Sequence, residues 1–146
     1  MVSNLYRAAN FLTSAALYSQ IPSDTGYEIA FVGRSNAGKS SAINALCGQT
    51  NLCRTSKIPG RTQLLNFFQL DAERRLVDLP GYGYAKAPGA EQQRWQRSIA
   101  EYLNQRNCLR GLILLMDIRT PLTEYDWNLI TWCSERNLSV HVLTRP

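Results

Sequence analysis

The sequence predicts an α/β fold: a mostly parallel sheet with helices on both faces and one antiparallel edge strand. Three observations carry this expectation. Strand-patterned and helix-patterned segments alternate along the chain, a phosphate-loop motif stands between the first such strand and the first helix, and two apolar runs lie close together across a polar turn.

In chain order, residues 1–26 read as an N-terminal lead-in segment, because Ile21-Pro22-Ser23-Asp24-Thr25-Gly26 is rich in turn formers. Tyr27–Val32 is a short apolar run ending at Gly33 and fits a buried strand. Lys39–Cys47 places Ile43 and Leu46 on one side of a helix, and Gly48–Arg61, with Pro59-Gly60 and no period, reads as a loop. Leu64–Leu70 and Leu76–Leu79 read as two strands of a hairpin joined by the polar turn Asp71–Arg75. Glu91–Arg106 carries Trp95, Ile99, Tyr102 and Leu103 at helical spacing. Gly111–Asp117 is a central-strand candidate. Thr123–Arg136 is a second such helix, with Tyr125, Leu129, Trp132 and Cys133 in line and Thr123 as its N-cap. Leu138–Leu143 is the last strand expected. Residues 27–146 thus form one α/β unit, and Trp95, Trp127 and Trp132 are expected as core or half-buried helix residues.

With 146 residues and 45% hydrophobic content, the chain has the size and composition of one globular domain. No apolar run reaches the roughly 18–20 residues of a membrane span, and no signal-peptide pattern opens the chain. Cys47, Cys53, Cys108 and Cys133 form no CxxC pair and have one histidine, His141, beside them in composition. They read as reduced, mostly buried thiols of a cytosolic protein, and His141 as a strand residue without a role. Between Ile29 and Leu70 there is no acidic residue, whereas Arg34, Lys39, Arg54, Lys57 and Arg61 match the whole net charge of +5. Such a field suits a polyanion, either nucleotide phosphates or RNA, although outside the phosphate loop it also fits a plain solvated loop.

Gly33-Arg34-Ser35-Asn36-Ala37-Gly38-Lys39-Ser40 matches G-x-x-x-x-G-K-[ST] in full. Backbone N–H groups of such a loop point inward at phosphate oxygens, glycines let the backbone approach, and the following helix N-terminus adds partial positive charge. Lys39 is expected on the β- and γ-phosphates and the Ser40 hydroxyl on Mg²⁺, with Ser41 next in the helix. Asp78-Leu79-Pro80-Gly81 ends an apolar strand. Asp78 can hold Mg²⁺ through water, and the Gly81 N–H can meet the γ-phosphate. Alone, Asp-x-x-Gly is a common turn; its position after the phosphate loop, a helix and a hairpin gives it weight. Thr62, after Gly60 and Arg61, is the third candidate, a hydroxyl that closes on Mg²⁺ when the γ-phosphate is present. Lys39, Thr62 and Gly81 are the candidate catalytic groups, and Ser40, Thr62 and Asp78 the candidate metal ligands.

The segments Tyr27–Ser41, Arg54–Gln63, Leu76–Ala85 and Met116–Leu122 resemble the EngB (YihA) GTPases of the TrmE-Era-EngA-YihA-Septin class, from about Ser23 to Thr144. The resemblance implies a Ras-like P-loop NTPase fold, GTP/GDP and Mg²⁺ as ligands, and GTP hydrolysis. It also implies a cytoplasmic role in assembling the large ribosomal subunit, with ribosomal RNA and proteins as partners, and a need for the protein in normal cell division and septation. Neither a membrane nor DNA is an expected partner.

Two positions depart from the Ras-type pattern. Tyr82 stands where a water-orienting glutamine is usual, which predicts slow intrinsic hydrolysis, accelerated by a partner or a monovalent cation. Asn36 occupies the position that related GTPases use to help bind K⁺, and equally reads as a loop-stabilising side chain. The family pattern then continues into a Thr-Lys-x-Asp element that reads guanine, whereas this chain reads Leu143-Thr144-Arg145-Pro146. Arg145 replaces the lysine. The resemblance therefore implies a domain without its base-reading aspartate, final strand and final helix, and with reduced discrimination between guanine and adenine. The competing expectations are a truncated, non-catalytic fragment with a basic RNA- or ribosome-binding surface, and an ATP-using phosphate-loop protein.

Overall fold

The computed structural model describes residues 2–33, 38–53, 64–81 and 89–145. Among the described residues, four α-helices, α1 (Val2–Arg7), α2 (Lys39–Cys47), α3 (Gly89–Gln105) and α4 (Glu124–Glu135), accompany six strands. The strands are β1 (Asn10–Ala15), β2 (Tyr27–Gly33), β3 (Leu65–Gln69), β4 (Arg74–Asp78), β5 (Leu109–Asp117) and β6 (Ser139–Arg145). They form one sheet in the order β1-β3-β4-β2-β5-β6. β4, β2, β5 and β6 are mutually parallel, and β3 runs against them.

The antiparallel hairpin strand is β3, as the sequence predicts, but it is not the edge of the sheet. The segment expected only as a lead-in supplies α1 and β1, and β1 pairs antiparallel on the outer side of β3. Asn10–Ala15 lacks a period-2 alternation, and the pairing contains a register shift between Phe11 and Thr13, so the strand left little signal in sequence. Tertiary contacts hold it instead. Phe11 meets Phe68 edge to face at 6.0 Å, and the Ser14 hydroxyl donates to Asn66 Oδ1 at 2.6 Å.

β4 begins at Arg74, two residues before the apolar run Leu76–Leu79. A charged residue can enter the sheet here because Arg75 lies opposite Glu28 of β2, whose carboxylate receives its guanidinium at 2.7 Å. Asp71 shapes the preceding turn by accepting from the N–H groups of Glu73 (2.9 Å) and Arg74 (2.8 Å).

Two cores flank the sheet. On one face Tyr102 of α3 and Cys133 of α4 pack with Ala30, Val32, Val77, Leu112 and Leu114. On the other, Ile43 and Cys47 of α2 pack with Phe31, Phe68, Leu76 and Leu115. Thr123 caps α4 as its sequence position predicts. Its hydroxyl accepts from the Asp126 N–H at 3.4 Å, and its own N–H donates to Asp126 Oδ2 at 3.0 Å. Trp132 is half-buried under the Arg136 guanidinium, 4.4 Å from its ring centre. Trp127 corrects the expectation: it is 53% exposed, on the side of α4 away from the sheet. The Trp95 side chain lies outside what is described. Among the described residues no helix is long and apolar enough to cross a membrane.

Gly26, just before β2, has φ +81°, and a Cβ there would lie 2.2 Å from the Glu73 carbonyl oxygen, which also accepts from the Tyr27 N–H at 2.8 Å. Gly26→Ala is therefore expected to cost about 2–3 kcal/mol of stability. Chemical denaturation checks this, and an unchanged midpoint would mean that the hairpin turn yields freely.

Candidate functional site

The parallel pairing of β2 with β4 sets Phe31 opposite Asp78, so both strands deliver their C-terminal ends to one edge of the sheet. The chain leaves β2 at Gly33, and Gly38, the N-cap of α2, has a left-handed conformation (φ 87°, ψ 28°). A side chain is strained at that φ, which gives the second motif glycine a backbone reason. The Ala42 N–H donates to the Gly38 carbonyl at 2.9 Å, closing the first turn of α2. The N-terminus of α2 thereby faces the end of β4, in the crevice at the carboxyl ends of a parallel sheet.

Three of the predicted residues meet there. Lys39 Nζ is hydrogen-bonded and ion-paired to Asp78 Oδ1, with the side chains 11% and 8% exposed. Ser40 stands one residue further along α2. Its Oγ lies 3.4 Å from Cys53 Sγ, which is also 3.4 Å from Asp78 Oδ2. Leu79, Pro80 and Gly81 are buried behind Asp78, and the Leu79 N–H donates to the Phe31 carbonyl at 3.1 Å, which ties the strand end to β2. Ser41 faces outward on α2. Thr144 lies at the same end of the sheet but on β6, in register with Met116 of β5. That puts it two strands from β2, roughly 10 Å away. Arg34, Ser35, Asn36, Ala37, Gly60, Arg61 and Thr62 lie outside the described residues, as do Arg54, Lys57, Tyr82 and Tyr84.

The donor set fits a hard divalent cation. A serine hydroxyl and an aspartate carboxylate are oxygen ligands of the kind Mg²⁺ takes alongside phosphate and water. The ammonium of Lys39 beside them is a point charge suited to phosphate.

Sequence reasoning left two features unseen. The first is Cys53, read as one buried thiol among four. All four cysteines are indeed buried and unpaired, but Cys53 alone touches the site. Burial, together with the neighbouring Asp78 carboxylate, pushes its thiol up to about 12, so it is a neutral S–H group at neutral pH. Asn44 fixes it to α2: its Oδ1 accepts from the Cys53 N–H at 2.7 Å and its Nδ2 donates to the Cys53 carbonyl at 2.9 Å.

The second is an ion cluster at the opposite end of β2. Glu28 is fully buried. It accepts from Arg75 Nε (2.7 Å), Arg106 Nε (2.8 Å), Arg106 Nη2 (2.6 Å) and the Tyr102 hydroxyl (2.8 Å). Both arginines also donate to loop carbonyls, Arg75 to Ser23 and Thr25 and Arg106 to Pro22. Asp24 accepts from the N–H groups of Asn107 (2.9 Å) and Cys108 (2.8 Å). Burial alone would raise the Glu28 carboxyl, but Arg106, Arg75 and Tyr102 overcome it and hold the group below its ordinary value. The cluster clamps the turn before β2 onto the start of β5, and so fixes the strand that leads into the phosphate loop. The one sequence signal was a glutamate inside an otherwise apolar strand.

Comparison with known proteins agrees with this geometry. The model of a family described as 50S ribosome-binding GTPase matches residues 28–145. Proteins named probable GTP-binding protein EngB from Coxiella burnetii strains CbuG_Q212 and RSA 493 / Nine Mile phase I are each 55% identical over 138 residues. Each alignment covers 94% of this chain and 67% of the relative. A crystal structure of a probable GTP-binding protein engB shares the fold at TM-score 0.61 and 22% identity, over 79% of this chain and 68% of that one. The G domain of the T. maritima FeoB iron transporter shares it at TM-score 0.52 and 24% identity, over 81% and 70%. With its phosphate-loop helix facing the Asp78 strand end in a G-domain fold, the chain belongs to the 50S ribosome-binding GTPase family as an EngB-like GTP-binding protein.

Proposed function

We propose that this protein is a GTP-hydrolysing switch with slow intrinsic turnover, acting in the cytoplasm in assembly of the large ribosomal subunit and needed for normal cell division. The observation that carries the reading is the meeting of Lys39 with Asp78 at the N-terminus of α2, with Ser40 alongside. Lys39 would hold the β- and γ-phosphates and stabilise negative charge as the terminal phosphate departs. Ser40 and Asp78, with Thr62, would hold Mg²⁺, which when bound neutralises phosphate charge. Gly33–Ser41 would cradle the phosphates with backbone N–H groups, and Gly60, Arg61, Leu79, Pro80 and the Gly81 N–H would border the γ-phosphate side. Thr144 would lie towards the base.

Charge accounting supports the assignment. Lys39 and Asp78 neutralise each other across the crevice. On binding, phosphate would replace Asp78 beside Lys39 and Mg²⁺ would replace Lys39 beside Asp78, so neither residue's charge would be left without an opposite partner.

Titration with fluorescent GTP and GDP in the presence of Mg²⁺, with ATP as competitor, tests the reading. Micromolar guanine-nucleotide binding that Mg²⁺ strengthens is expected, together with tighter association with large-subunit particles in the GTP-loaded than in the GDP-loaded state. Turnover is expected to be faster in K⁺ than in Na⁺. Absence of binding at high micromolar nucleotide would favour a non-catalytic ribosome-binding module, and equal displacement by ATP would show that this chain does not read the base.

A further inference from the structure

We propose that Cys53 is a positioning residue for the Mg²⁺-binding side chains, presenting the Ser40 hydroxyl and the Asp78 carboxylate to the metal. The inference rests on the reading of those two residues as metal ligands.

Cys53 Sγ lies 3.4 Å from both Ser40 Oγ and Asp78 Oδ2. The residue is 4% exposed, so water does not compete for these contacts. A thiol has one proton, and a carboxylate can only accept. Sγ is placed to donate to either oxygen. With its one proton on the charged Asp78 Oδ2, the sulfur is left to accept from the Ser40 hydroxyl. Both consequences favour metal binding. The Oδ2 bond fixes the carboxylate plane and leaves Oδ1 towards Lys39 and the crevice. A serine whose proton points at sulfur offers a cation its oxygen rather than its proton.

The bracket is itself rigid. Asn44, one turn beyond Ser40 on α2, holds the Cys53 backbone by both its N–H and its carbonyl and also donates to the Thr50 carbonyl at 3.2 Å. The helix that carries one ligand thus carries, through Asn44, the group that orients the other. This is second-layer control of a metal site, in which the outer group acts only through the ligands it orients.

The test compares wild type, Cys53→Ala and Cys53→Ser by fluorescent GDP binding in Mg²⁺ and in EDTA, with thermal unfolding of each protein alongside. Cys53→Ala is expected to weaken binding about five- to tenfold in Mg²⁺ and to leave the EDTA affinity unchanged. Cys53→Ser, whose hydroxyl can donate and accept in the same way, is expected to stay within about twofold of wild type. Equal losses with and without Mg²⁺ would assign Cys53 to packing and overturn the proposal, as would an unchanged Mg²⁺ response in the alanine variant. A wild type whose affinity ignores Mg²⁺ would overturn the metal reading of Ser40 and Asp78, and this inference with it; that result is distinct from a responsive wild type with unaffected variants.

Discussion

Glu28→Ala is expected to destabilise the domain by about 3–5 kcal/mol, enough to leave a large fraction unfolded near physiological temperature. The cost follows from what remains. Arg75 and Arg106 are 9% and 6% exposed, and both aim their guanidinium groups at the Glu28 carboxylate, with Asp24 a more distant partner of Arg106 at 3.8 Å. Without it, two buried cations face each other, and the Tyr102 hydroxyl loses its acceptor. Glu28→Gln keeps the shape and one acceptor oxygen but not the charge, so it should fall between wild type and the alanine variant. Urea denaturation checks the order.

The same residue predicts an acid response. Its carboxyl is held below the ordinary 4.5 in the folded state, so below that value the unfolded chain takes up the proton first. The Glu28 contribution is therefore complete above about pH 4.5 and lost as pH falls through the lower, folded value. Glu28→Gln should show a flatter stability profile than wild type in that acid range and no difference in slope near pH 7. A wild-type profile matched by the variant throughout would remove Glu28 as the acid-sensitive group.

Lys39→Met is expected to weaken nucleotide binding on the order of a hundredfold, about 3 kcal/mol for lost charge-assisted contacts to two phosphates. It should do so with or without Mg²⁺, because the ammonium meets the phosphates directly. Asp78→Asn breaks the same ion pair but spares the phosphate contact, so its loss should be confined to the Mg²⁺-dependent part. Fluorescent nucleotide titration in Mg²⁺ and in EDTA separates the two patterns. Identical behaviour of the variants would mean that the pair acts through structure alone. Lys39→Met should also lower the stability of the nucleotide-free protein by about 1–3 kcal/mol, since Asp78, at 8% exposure, would lose its ion-pair partner.

Much of this was legible in the chain itself. Gly33–Ser40 and Asp78–Gly81 are local patterns whose chemistry depends on backbone geometry a few residues long. The bounds of α2 and the Thr123 cap emerge as the sequence predicts for the same reason. Features that depend on distant partners were not legible. β1 has no periodicity of its own and exists because β3 offers an edge. Arg74 and Arg75 look like turn residues until Glu28, 47 positions away from Arg75, neutralises the second of them. Trp127 sits in a helix of the right kind but on its outer side, because the stripe that meets the sheet runs through Leu129, Trp132 and Cys133.

The sequence by itself determined that a strand, a phosphate loop and a helix follow one another, and that an Asp-x-x-Gly strand end follows them. Short-range geometry is written in adjacent residues. Only the tertiary structure decided that Asp78 meets Lys39, that Cys53 stands between Ser40 and Asp78, and that a buried Glu28 with two arginines secures the far end of the same two strands. Those contacts join residues 13 to 78 positions apart. Parallel strand pairing and the exclusion of water fix them, and neither leaves a local pattern in the chain.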